Sequence, residues 1–179
     1  MPLWIKLHER EDVDKLLGVL RGKQDPPDDM VVQISYWVGY GDKPAAWFLH
    51  NQTDEGTVFD KQWRVDAHKL IGSKGDAHLR LVVGAIKQCK LPLYLRVLYC
   101  NLHEPEIKLL ANAVLGNSHI LGLTVFGNPG NDSESAQRAL RNVVVKRPQP
   151  LLVWDNQPLT AELMEERQRF KDKNQCVLA

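Results

Sequence analysis

The chain has 179 residues, of which 44% are hydrophobic and 25% charged. That composition excludes a fully disordered or collagen-like chain, and the length suits one domain with a core of its own. Lys+Arg is 23 and Asp+Glu is 22, a net charge of +1. No overall field draws such a chain to nucleic acid or to an acidic membrane, so no nucleic-acid partner is expected.

The three cysteines, Cys89, Cys100 and Cys176, show no C-x-x-C spacing. They form neither a disulfide framework nor a zinc site, and they fit a reducing compartment. The first residues turn acidic and polar too soon for a secretory leader, and no apolar run approaches the ~18 residues of a membrane span. A cytoplasmic protein is the expectation.

In chain order, Val13, Leu16, Leu17 and Leu20 fall at i, i+3, i+4 and i+7, which predicts a helix that Gly22 ends. Asp25 to Asp29 is a turn. Val32, Ile34, Tyr36, Val38 and Tyr40 alternate with other residues and predict a strand. Short strands are predicted at 45–49 and at 57–59 or 63–65, so residues 1–62 read as an α+β segment without a repeat.

Beyond residue 65 the chain repeats itself. Leu95-x-Val97-x-x-Cys100 recurs 28 residues on as Leu123-x-Val125-x-x-Asn128, and after 28 more as Leu151-x-Val153-x-x-Asn156. Each strand precedes a helical pattern: Leu110, Ala111, Val114 and Leu115; Ala139, Leu140 and Val143; Leu163, Met164 and Phe170. A fourth, degraded unit begins at Ala67-x-Lys69-x-x-Gly72.

These residues resemble the leucine-rich repeat of the ribonuclease-inhibitor type over about residues 67–160. The resemblance implies an α/β fold: a short solenoid of parallel strands with helices on the convex face. The units stack because none can bury its own apolar face, with Leu95, Leu123 and Leu151 in one inward column. Cys100, Asn128 and Asn156 sit where the chain leaves each strand. There a short polar side chain can bond backbone groups that the strand no longer satisfies. Three segments are expected: an N-terminal cap at 1–62, repeats at 63–160, and a C-terminal helix with a lipidation tail at 161–179. A doubly wound parallel sheet fits the same strand–helix order, but the fixed period favours the solenoid.

The outward strand residues of such a solenoid line a concave face. Here they are Tyr94, Arg96, Leu98 and Tyr99, then Thr124 and Phe126, then Leu152, Trp154 and Asp155. A solvated strand face should be polar, whereas Leu, Phe and Trp edged by Arg and Tyr have the composition of a protein-binding hot spot. The alternatives are that another segment of the chain covers this stripe or that two copies bury it as a homodimer. The chain ends Cys176-Val-Leu-Ala179, which resembles a prenylation box and implies a lipid on Cys176 and a membrane partner in a eukaryotic cytosol. Residues 167–175 read as a flexible polar tail presenting that cysteine. For a bacterial source the box would imply an effector acting in a host cell.

Catalytic chemistry is not found. No two histidines lie at i, i+3 or i, i+4, so no helical metal site is predicted, and no cofactor is implied. Gly127 to Ser133 lacks the phosphate-loop and dinucleotide spacings and reads as a turn with Asp132 or Ser133 capping a helix. Cys100 beside His103 is explained by the repeat position. The expectation is a non-enzymatic protein-binding module. The rival is a small α/β enzyme or ligand-binding domain with its site at the 100–105 and 127–133 loops, where a parallel sheet places its crevice.

Overall fold

The computed structural model describes residues 3–7, 9–35, 77–98, 100, 102–125, 127–149, 151 and 161–175. The strands predicted at 45–49, 57–59, 63–65 and 67–72 lie outside the described residues, as does the third repeated strand after Leu151.

Among the described residues, four parallel strands form one sheet in chain order: β1 (Leu3–Lys6), β2 (Val31–Ser35), β3 (Tyr94–Leu98) and β4 (Gly122–Thr124). The described helices are α1 (Arg10–Leu20), α2 (residues 77–88), α3 (Glu104–Leu115), α4 (Glu134–Lys146) and α5 (Ala161–Gln175), with a 3-10 turn at Pro129–Asp132.

β1 is a strand that hydropathy alone did not announce, and it joins β2 in register Leu3↔Val32 and Ile5↔Ile34. β1 and β2 therefore extend the same sheet as the repeated strands. β2 pairs with β3 as Val32↔Leu95 and Ile34↔Val97, and β3 with β4 as Leu95↔Leu123. The 28-residue spacing is thus the register of the β3–β4 ladder.

Because side chains alternate across a strand, one face carries Ile5, Val32, Ile34, Leu95, Val97 and Leu123, all buried. These join one core with residues from all five helices, among them Leu16, Ile86, Leu110, Leu140 and Leu163. Right-handed crossovers that always step in the same direction place their helices on one side of a sheet. The main core cluster holds to that rule: Leu98, a buried hydrophobic on the opposite face, lies outside it.

The helix ends follow local chemistry. α1 buries Val13, Leu16, Leu17 and Leu20, carries Glu11 and Asp12 in its first turn, and stops at Gly22, whose φ of 68° suits glycine. Pro105 opens α3, where the His103 N–H donates to the Glu106 carboxylate at 3.0 Å. Ser133 is the cap of α4, its Oγ accepting from the Ala136 N–H. α4 ends at Arg147, the residue before Pro148. At the outer edge of β1 the Lys6 N–H donates to Asp12 Oδ2 at 2.9 Å.

Residues 161–175 are helical, which corrects the expectation of a flexible tail over 167–175. The physical reason is Arg167, which is buried and spends its guanidinium on the preceding unit. Leu163 joins the core and Phe170 packs on it, while the rest of α5 is mostly charged and faces water.

Candidate interaction face

Among the described residues, two sets of buried polar side chains tie successive strand–helix units together. The first set lies where the chain leaves the strands. Asn128 Nδ2 donates to the carbonyls of Val97 and Val125, both at 3.0 Å. Its Oδ1 accepts the N–H of Cys100 at 2.9 Å and of Leu102 at 3.2 Å. Cys100 takes the corresponding place at the end of β3, its single S–H within reach of the Leu98 carbonyl at 3.4 Å and the Ile34 carbonyl at 3.5 Å. The position shared by Cys100 and Asn128 in the sequence repeat therefore answers backbone groups that the sheet leaves open.

The second set, at the helix C-termini, was not read from the sequence. Asn117 Nδ2 donates to the carbonyls of Ile86 at 2.6 Å and Cys89 at 2.8 Å. Arg147 Nη2 donates to those of Asn117 and Ile120, and the Arg167 guanidinium to those of Val144 and Pro148. Unanswered carbonyls at the ends of α2, α3 and α4 are thus capped by the unit that follows. One signal was present: Cys89 and Asn117 are 28 apart, and each accepts the N–H of the residue two further on. The arginines gave none, because arginine is seldom buried without an acid. Burial pushes the pKa of both guanidiniums below the usual arginine value, and Arg147 is lowered further by Arg167. Among the described residues, Arg147 Nε and Nη1 are buried without a hydrogen-bond partner.

The sheet face opposite the core carries four of the predicted binding residues, Tyr94, Arg96, Leu98 and Thr124. Arg96 lies in a row Trp4–Gln33–Arg96–Thr124, and Tyr94 in a row Val31–Tyr94–Gly122. Tyr94 and Arg96 are half-buried. Leu98 and Thr124 are brought to the same face but closed to solvent, at 3% and 2% exposure. Tyr99, Phe126, Leu152, Trp154, Asp155 and Cys176 lie outside the described residues. Sequence reasoning missed Trp4, 47% exposed, and Lys6, also exposed, because it assigned β1 to a cap. Neighbouring strands are about 4.8 Å apart, so Trp4 and Arg96, two strands apart, are separated by roughly 10 Å across the face. No acidic residue stands on the described portion of this face.

At the strand ends, the loops around 102 and 128 are pressed together. The Gly130 N–H donates to the Leu102 carbonyl at 2.8 Å. A Cβ on Gly130 would lie 2.3 Å from the carbonyl carbon of His103. Ser133 Oγ donates to Glu104, and with Ser135 it holds the Glu104 carboxyl below the usual carboxylate range. Among the described residues no group of three His, Cys, Asp or Glu side chains is placed to hold a metal ion, and no helix is long and apolar enough to cross a membrane.

Comparison with known proteins returned no family model, no curated protein and no solved structure that matches the chain.

Proposed function

We propose that the chain is a short leucine-rich-repeat solenoid that serves as a non-enzymatic interaction module, capturing a partner protein on its outward strand face. The observation that carries this reading is the register, which lines up Trp4, Lys6, Tyr94 and Arg96, none of them a core residue, on the sheet face opposite the core cluster. Support for the solenoid comes from the chain-order parallel sheet, from helices that share one core, and from Asn128 and Cys100 bonding backward at equivalent positions. The closed contact of Gly130 on the His103 backbone speaks against a ligand crevice between the 100–105 and 127–133 loops. A prenyl group on Cys176, which rests on the Cys-Val-Leu-Ala pattern, would tether the module to a cytosolic membrane surface, in a host cell if the source is bacterial.

Affinity capture from eukaryotic lysate tests the face. The double variant Tyr94→Asp, Arg96→Glu should lose proteins that wild type retains, while Arg138→Glu, on the exposed side of α4, should keep them. Equal capture by all three removes the face from the proposal. For the lipid, Cys176→Ser should move the protein from the membrane to the soluble fraction of eukaryotic cells, and an unchanged distribution rules it out.

A further inference from the structure

A groove of about 340 Å³ runs between α1 and α2, on the helical side of the sheet and away from the strand face. Its volume is at the lower end of ligand-sized sites, enough for one large side chain and its flanking backbone. The apolar lining is made by Leu17, which is buried, and Leu81, which stands 39% exposed. Gln24 folds over Gly18, where a Cβ would lie 2.8 Å from Gln24 Cδ, so glycine lets the groove keep its depth.

The rim is cationic. Arg10 at one end is held by Asp14 at 2.8 Å, and Asp14 is the only acid among the described lining residues. At the other end Arg21 and Lys23 are exposed and have no ion-pair partner among the described residues. Two uncompensated positive charges beside an open leucine define a complement: a short acidic segment with one large apolar side chain.

We infer that this groove docks an acidic peptide segment of a partner protein, with an apolar residue seated between Leu17 and Leu81 and carboxylates against Arg21 and Lys23. The site is independent of the strand face, so either can fail without the other.

Fluorescence anisotropy on the full chain tests the assignment, with fluorescein-labelled Glu-Glu-Leu-Glu-Glu and Lys-Lys-Leu-Lys-Lys as probes. Wild type should bind the acidic probe in preference to the basic one, and added salt should weaken that binding. The double variant Arg21→Glu, Lys23→Glu should reverse the preference, with acidic binding reduced at least about tenfold. Leu81→Ser should weaken the acidic probe without reversing the preference, and circular dichroism checks that each variant is folded. The groove is overturned if wild type binds both probes alike or neither. It is equally overturned if the charge-reversed protein is merely less stable with its preference unchanged, which would assign Arg21 and Lys23 to the C-terminal dipole of α1.

Discussion

Asn128 is the residue on which two units of the fold meet. It donates to two carbonyls and accepts from two N–H groups, all on backbone of its own strand or the preceding unit. Asn128→Ala leaves buried groups unanswered on both units, and a loss of about 3–5 kcal/mol in urea denaturation is expected. Asn128→Asp retains the acceptor but turns an anion on the Val97 and Val125 carbonyls, so it should rescue little. Gly130→Ala drives a methyl into the His103 backbone and should cost about 1–3 kcal/mol by the same measurement. The Glu104 carboxyl has a folded-state pKa below the unfolded one, because the Ser133 and Ser135 hydroxyls favour its charged form. Its contribution is therefore present above the unfolded carboxylate pKa and lost as pH falls through the lowered folded value. In thermal melts, the Tm gap between wild type and Glu104→Gln should close as the pH drops below the ordinary carboxylate range.

At the scale of the element, much was legible and the reasons differ. α3 and α4 could be read because their apolar spacing is helical and their caps, Pro105 and Ser133, are local chemistry. β3 and β4 could be read because a fixed spacing repeats their inward pairs. β1 could not, since four residues give too short an alternation and its pairs with β2, Leu3↔Val32 and Ile5↔Ile34, are offset by 29 residues and not by the 28 that relates β3 to β4. α5 was legible as a capping helix, but its last stretch, 167–175, also read as a flexible tail, because nothing in a charged stretch announces that one arginine turns inward. Arg167 caps carbonyls at the end of α4 and beyond it, and α5 also holds α4 through the Arg141–Glu166 pair. Arg167→Ala should therefore loosen that end first. Hydrogen exchange should accelerate at the last turn of α4 and over 161–175, with the amides of β1 and β2 little changed.

For the whole molecule, the candidate face was legible only where the sequence repeats. Tyr94 and Arg96 were found by spacing, whereas Trp4 and Lys6 reach the same surface through strand order, which spacing does not encode. The core is also where two of the thiols end up. Cys89 and Cys100 are buried, and burial pushes the Cys89 thiol pKa up. With Cys176 replaced by Ser, the native protein should give no colour with an aromatic disulfide reagent, and both remaining thiols should react in urea.

The carboxylate of Asp12 on the Lys6 amide bears on how the protein behaves when concentrated. A parallel strand whose outer edge is open invites copies to add to it, one after another. With that amide already engaged, the first rung of a growing stack is missing. Asp12→Ala restores it, and the substituted protein left standing at high concentration should form fibres that brighten thioflavin, while the parent solution stays clear.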